Sequence, residues 1–531
     1  MPPPRNPIHE KLVRAARRAA TRERHRRDLE HQTTPEQLAR SVRENLGSTR
    51  IVIASKSEPY QHIHRDGSVE TRRSPGGLAS ALDSVARETH AVWVALASGD
   101  ADREAADARG RVSMPPGQER YTLQRLWIDD ADRAKGFDRF ANGCLWPLCH
   151  VVYVRPHFDG ANWRAYQEVN RRFAESILEA VGDEPALVLL QDYQLAVCAA
   201  ELRARRPDLT IVLFWHIPWP NSEAFRILPW KREVLEGLLA CDLLGFHIRY
   251  HGMNFLDAVS SEMEALVDRE RYAVSRGGRR TFVRHYPISP DVAEISIVAA
   301  DASTPNAVQR IREKLGLGQA RVILGVDRLD YTKGIPERLD AYQKMLEAHP
   351  ELRDNVCMIQ IAVPSRADLP EYQAIRRAVE ERVERLNSLY GSGMRRSVHL
   401  ITENLDFKEL IPYYVLADVM AVTSLHDGMN LVSKEYVAAR VHSDGVLVLS
   451  PYTGASRELE HAIQVSPYDT ELLAVALHRA LAMTPEERRR RMRALREVVA
   501  GHNIYDWART LLRDVRRLHL LPGTRRPASR R

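Results

Sequence analysis

At 531 residues the chain is too long for a single hydrophobic core, so two domains of about 200 to 250 residues are expected. Its 44% hydrophobic and 28% charged content exclude a disordered chain, and no apolar run reaches the ~18 residues that a membrane span needs. The net charge of +7 sits in the tails, since residues 1–27 carry +7 and residues 511–531 carry +6, which leaves −6 on the body and argues against a nucleic-acid-binding face.

Residues 1–48 read as a basic N-terminal extension, with an Arg/Ala-rich helical pattern from His9 to His31 and a helix start at Thr34-Pro35-Glu36-Gln37. Ile51 to Ser55 reads as the first buried strand of a parallel sheet, leaving through Lys56-Ser57-Glu58-Pro59-Tyr60. Ser74-Pro75-Gly76-Gly77-Leu78 then opens a helix whose paired glycines present backbone N–H groups suited to a diphosphate. Trp163 to Ala180 has amphipathic helical spacing. Ala186 to Leu190 is a buried strand ending in Gln191-Asp192-Tyr193, and Thr210 to Phe214 is another ending in Trp215-His216-Ile217-Pro218. Asp192 and His216 thus stand at carboxyl ends of parallel strands, where open sheets take their ligands. Tyr286-Pro287-Ile288-Ser289-Pro290 reads as a crossover between domains, with a boundary near residue 300 and a first Rossmann-like domain over 49–300.

Strands near 322, 357, 398, 419 and 446, with helices between them, predict a second Rossmann-like domain over 301–500. Val322 to Gly325 runs into Val326-Asp327-Arg328-Leu329-Asp330-Tyr331-Thr332-Lys333-Gly334, ahead of a helix beginning near Pro336. Arg328 and Lys333 on that loop are two fixed cations able to neutralise a departing diphosphate. Met358 to Ala362 is a strand that leads to Val363-Pro364-Ser365-Arg366. Val419 to Val422 is a strand followed by Asp427-Gly428-Met429-Asn430-Leu431-Val432-Ser433-Lys434-Glu435. Here the glycine allows a ligand close to the backbone, the helix start favours phosphate, and Glu435 can accept hydrogen bonds from sugar or ribose hydroxyls. Helices are expected over 484–500 and 504–519. Residues 501–531 are expected to hold a C-terminal helix, which in a fold of two such domains crosses back to the first, and a disordered basic tail. Cys144, Cys149, Cys198, Cys241 and Cys357 are scattered without metal spacing, which fits reduced thiols in the cytoplasm, and the N-terminus has no apolar signal core.

The pair DRLDYTKG and DGMNLVSKE resembles the donor half of the trehalose-6-phosphate synthase family, the family 20 retaining glycosyltransferases, and the resemblance extends over roughly residues 50 to 510. It implies an α/β fold of two Rossmann-like domains facing a cleft, the GT-B architecture. Arg328 and Lys333 would hold the donor diphosphate, Gly76 and Gly77 would cover it, and Glu435 would take the ribose. The backbone of Asp427, Gly428, Met429, Asn430, Leu431 and Val432 would cradle phosphate and glucose. His216 would hydrogen-bond the donor sugar and Asp192 would orient the acceptor hydroxyl, while Trp146 and Arg366 belong to the acceptor, with Arg366 reaching its phosphate. The implied partners are UDP-, ADP- or GDP-glucose and a sugar-phosphate acceptor, glucose 6-phosphate giving trehalose 6-phosphate. No cofactor is implied, and no Asp-x-Asp metal clamp stands at a strand end. A homo-oligomer is left open.

The chain also departs from the family. Ser57, beside Lys56, stands where the family has an acceptor-gripping Arg. Phe137 replaces a Tyr, Leu96 or Ala97 a Trp, and Gln191 a His. Glu58-Pro59-Tyr60 and Trp93-Val94-Ala95 are similar to glucosylglycerol-phosphate synthases, so glycerol 3-phosphate is the alternative acceptor. Arg366 favours a hexose phosphate. A catalytically silent, sugar-phosphate-binding regulator is the alternative of another class, opposed by the intact donor-side charges.

Overall fold

Strands of the first sheet such as Ala186–Gln191 and Thr210–Trp215 are largely apolar on both faces and buried along their whole length, the composition of a parallel sheet covered on two sides. The computed structural model describes residues 32–521 except 75, 76, 302, 367, 393 and 394, and the backbone alone of 303 and 304. The expected helix from His9 to His31, Gly76 and the tail from Pro522 lie outside the described residues.

The strands in chain order are β1 (Arg50–Ser57), β2 (Tyr60–Arg65), β3 (Ser68–Arg73), β4 (Val92–Leu96), β5 (Arg111–Met114), β6 (Tyr121–Leu126), β7 (Ala186–Gln191), β8 (Thr210–Trp215), β9 (Leu243–Phe246), β10 (Leu266–Asp268), β11 (Ala273–Arg276), β12 (Arg279–His285), β13 (Arg321–Arg328), β14 (Val356–Val363), β15 (Val398–Ile401), β16 (Val419–Val422), β17 (Val446–Leu449) and β18 (Ile463–Gln464). Ten form one sheet in the order β10-β11-β12-β9-β8-β7-β1-β4-β6-β5. It is parallel from β12 to β6 and antiparallel at both edges. The second sheet, β15-β14-β13-β16-β17-β18, is parallel throughout.

The alternation expected for the second half is present, with β18 as an additional short edge strand. Four antiparallel hairpins were not anticipated, and two of them turn in two residues. β2 and β3 pair across a two-residue Asp66-Gly67 turn, and β11 and β12 across Gly277-Gly278. All four turn residues have positive φ, the conformation of a tight hairpin whose twist matches its strands.

Thr34 and Gln37 close a reciprocal cap on the helix Pro35–Leu46, as the sequence predicts. The last helix, Ile504–Arg517, follows the second sheet but packs on the first half of the chain, against the helices Pro35–Leu46 and Gly77–Thr89. There Trp507 lies edge-on to Phe214 at 5.2 Å, the Tyr286 hydroxyl donates to Asp514 at 3.0 Å, and Thr210 Oγ1 donates to the Leu520 carbonyl at 2.7 Å. The two sheets are therefore joined by the crossover near Ile288 and by this returning helix. Among the described residues no helix is long and apolar enough to cross a membrane.

Candidate active site

The strand exits of the two sheets meet. Arg328 is the exposed last residue of β13, and its neighbour Leu329 is tied to β14 by a 2.7 Å hydrogen bond to the Val363 carbonyl. Asp330 then caps the turn Tyr331–Lys333 by accepting from the Thr332 N–H at 3.0 Å. Gly334 takes φ +61° at a point where a Cβ would lie 2.2 Å from the Thr423 carbonyl oxygen, so only glycine lets the chain turn there. The turn aims Lys333 Nζ at Asp427 Oδ2, 2.6 Å away on the exit of β16. Burial opposes ionisation of Asp427, but the adjacent Lys333 ammonium outweighs it and holds the carboxyl well below the usual range. Lys333 is thus not a free cation: it is already matched by one carboxylate, while Arg328 remains open to the groove.

Past Asp427, Asn430 sits in the left-handed region (φ +81°) and caps the helix Leu431–Ala439 by accepting from the Ser433 N–H at 2.9 Å. The Met429 side chain is buried in the core, and its carbonyl accepts from the Ala455 N–H at 2.9 Å. Packing between the two sheets also requires Gly428. A Cβ there would stand 2.0 Å from the His216 carbonyl oxygen, so the missing side chain lets the second sheet's exit loop press on the first's.

Farther along the same helix, Glu435 accepts from the Tyr414 hydroxyl at 2.8 Å. Burial raises its pKa and that hydrogen bond works against the rise. Gly77 lies against this region, because a Cβ on it would meet Glu435 Oε1 and Leu431 Cδ1 at 3.0 Å. Leu431 and Val432 are partly buried beside the core.

On the first sheet Asp192 leaves β7 at φ +76°, a strained conformation for a non-glycine residue. Its carboxylate accepts from the N–H groups of Tyr193 at 2.9 Å and His216 at 3.0 Å. Burial pushes its pKa up to about 6, against those two donors and the nearby Arg328 and Arg366 guanidiniums. His216 Nε2 is 2.9 Å from Gln191 Oε1, and burial followed by the neighbouring His247 holds the imidazole neutral. Gln191, standing where the family has His, thus orients the ring of His216.

A π-helical turn, Ala141–Leu145, carries Trp146 into the groove. Its indole is flanked by two cations, with the Arg366 guanidinium 4.0 Å and that of Arg328 5.2 Å from the ring centroid. Arg366, at φ +51°, also reaches Tyr193 of the first sheet at 3.1 Å, pairs with Asp330 at 3.5 Å and donates to the Tyr372 hydroxyl. Tyr372 donates in turn to Asp330 at 3.1 Å.

Of the residues singled out from the sequence, Arg328, Arg366, Trp146, Asp192, His216, Lys333, Asp427 and Gly428 come together in one groove. Leu431 and Glu435, on the helix that leads away from it, form a second cluster with Gly77 packed against them. One position where the chain departs from the family, Phe137, and two residues beside other such positions, Trp93 and Lys56, are fixed by neighbours of their own. Phe137 and Trp93 are core residues, Phe137 stacked on Tyr166 at 5.7 Å and Trp93 donating to Ser55 Oγ at 2.8 Å. Lys56, beside Ser57, is held by Asp138. Sequence reading missed Asp330, Tyr193 and Tyr372, which fix Arg366. It also missed His150 and His426, joined by a 2.6 Å contact from His426 Nδ1 to the His150 carbonyl. Asp330 and Tyr193 lie inside the quoted motifs, whereas nothing in the sequence marks Tyr372 or the two histidines.

Two open, mainly parallel sheets whose strand exits face one another across such a groove have the GT-B architecture of a glycosyltransferase. Residues 49–517 match glycosyltransferase family 20, and the chain belongs to that family. The trehalose-6-phosphate synthase of Mycolicibacterium gilvum is 41% identical over 469 residues, 87% of this chain and 92% of the relative. An E. coli structure bound with UDP-2-fluoro glucose superposes with a TM-score of 0.77 at 32% identity, covering 88% of this chain and 99% of its own. An alpha,alpha-trehalose-phosphate synthase (UDP-forming) from Burkholderia xenovorans, in complex with glucose-6-phosphate, gives a TM-score of 0.77 at 30% identity with the same coverage.

Proposed function

We infer that this chain transfers glucose from a nucleotide-glucose to glucose 6-phosphate with retention of configuration, giving trehalose 6-phosphate. The observation that carries the reading is the convergence of Arg328, Lys333 and Arg366 with Asp192 and His216 in a single groove between the sheets. The names and ligands of the relatives agree with it, a UDP-sugar in one and glucose 6-phosphate in another.

In this reading the unit over 301–500 takes the donor and the unit over 49–300 contributes to the acceptor. Arg328 and Lys333 neutralise the diphosphate as the glycosidic bond breaks, and each fixed cation aimed at developing charge is worth on the order of 3 kcal/mol of barrier. Lys333 turns from Asp427 toward the phosphates, and Glu435 takes the ribose hydroxyls. Neutral His216 holds a donor-sugar hydroxyl. Asp192 orients the acceptor hydroxyl, which attacks on the face the diphosphate leaves, and the leaving phosphate receives its proton. Arg366, braced by Tyr193, Tyr372 and Asp330, meets the acceptor's phosphate beside Trp146.

The test is an acceptor panel with UDP-, ADP- and GDP-glucose, following nucleoside diphosphate release and product mass. Release with glucose 6-phosphate and a disaccharide monophosphate product is the expected result. Release with glycerol 3-phosphate alone would overturn the acceptor, and release with neither would overturn the enzymatic reading.

A further inference from the structure

The outer face of the second sheet carries a cluster of side chains that glycosyl transfer does not use. The helix Ile335–Ala348 begins directly after Gly334 and ends at His349. The helix Thr470–Ala482 packs along it and carries His478. The imidazoles of His349 and His478 are stacked, with centroids 3.6 Å apart and planes 13° from parallel. Glu351 Oε1 is 3.4 Å from His349 Nδ1. One ligand atom from each of the three residues lies within 4.8 Å of the other two.

Two nitrogens bound at ~2.0 Å to one tetrahedral ion stand roughly 3.3 Å apart, and the ligand atoms here already lie within 4.8 Å of one another. The rings must turn out of the stack for both in-plane lone pairs to meet at one point, and Glu351 then closes the third side. Glu351 is well exposed, which leaves a fourth position open to water. The cations nearby are already engaged: Arg321 donates to the Leu481 carbonyl, and Lys344 pairs with Glu471 at 3.3 Å.

We propose that His349, Glu351 and His478 bind one divalent transition-metal ion of zinc-like chemistry, which ties the end of the helix Ile335–Ala348 to the helix Thr470–Ala482. Two imidazoles and one carboxylate suit Zn2+ or Co2+ rather than Mg2+ or Ca2+, which prefer oxygen ligands. The helix so anchored is the one that starts next to Lys333, but the site itself is remote from the groove, and the proposal is independent of the reaction assigned above.

The test uses the full chain stripped with a chelator and titrated calorimetrically with Zn2+, alongside His349→Ala, His478→Ala and Glu351→Gln. The chain holds 20 histidines, so the difference between wild type and variants is the readout. Wild type is expected to take up one Zn2+ more than either histidine variant, and Glu351→Gln to bind it about tenfold or more weakly. Co2+ is expected to give tetrahedral ligand-field bands in wild type that His478→Ala lacks. Zn2+ should raise the thermal midpoint of wild type but not of His478→Ala. Equal stoichiometry and affinity in wild type and both histidine variants would overturn the proposal.

Discussion

Replacing Gly428 with alanine places a methyl group against the backbone of the opposite sheet. Its Cβ would stand 2.0 Å from the His216 carbonyl oxygen and 3.1 Å from Ile217 Cα, against an ordinary contact of 3.4 Å, a shortfall of about 1.4 Å. β8 lies inside the ten-stranded sheet between β7 and β9 and cannot withdraw. Retreat of the loop is also blocked, because Gly454 already sits so close that a Cβ on it would come within 2.1 Å of the Gly428 carbonyl oxygen. The strain must therefore spread the two exit loops and carry Asp427 and Asn430 away from Lys333 and His216. Overpacking of this kind costs about 1–3 kcal/mol in stability. A displacement near 1 Å of a reacting constellation costs on the order of 10²-fold in rate. Steady-state nucleotide release and thermal melts are expected to show kcat/KM down by about that factor with a Tm lower by only a few degrees. Gly501→Ala, at the end of a helix with nothing within 4 Å of the new methyl, serves as the control and should change neither. Wild-type turnover in Gly428→Ala would refute the reasoning.

Substitutions at three further residues have expected outcomes. Asp192 has a folded pKa raised to about 6 by burial, so a step that needs its carboxylate should slow as pH falls through that value in a pH–rate profile, and Asp192→Asn should lack this limb. Because the folded value exceeds the unfolded one of 3.8, the buried charge costs stability above that pH, and Asp192→Asn should melt higher at neutral pH with no gain below about pH 4. Asp427→Ala strands the Lys333 ammonium in a largely buried site and should lower urea-unfolding stability by about 3 kcal/mol, with the Lys333→Ala/Asp427→Ala double variant losing less than the sum of the singles. Tyr414→Phe removes the hydroxyl that Glu435 accepts and should raise KM for the nucleotide-glucose about tenfold while changing kcat little.

Much of the fold was legible because each buried strand is an aliphatic run that empties into a loop rich in chemistry. That is why Arg328, Lys333, Asp192, His216 and the stretch from Asp427 to Glu435 could be assigned to strand exits. Asp66-Gly67 and Gly277-Gly278 carried a readable hairpin signal that the alternation of strands and helices obscured. Pairings across the groove were not legible. Lys333 with Asp427 and Arg366 with Tyr193 join residues far apart in sequence, and local patterning contains nothing that aligns them. Phe137 was read from the sequence only as a Tyr without its hydroxyl, and its burial in the core could not be seen from its spacing to Trp146. The stacked pair His349 and His478 was invisible for the same reason of distance along the chain.

The most direct test of the charge arrangement in the groove is single-turnover nucleoside diphosphate release by Arg328→Ala and by Lys333→Ala at saturating donor and glucose 6-phosphate, with circular dichroism to verify folding. Each is expected to slow release by about 10²- to 10³-fold while keeping the wild-type spectrum. A folded variant of either kind that released nucleotide at nearly the wild-type rate would contradict it.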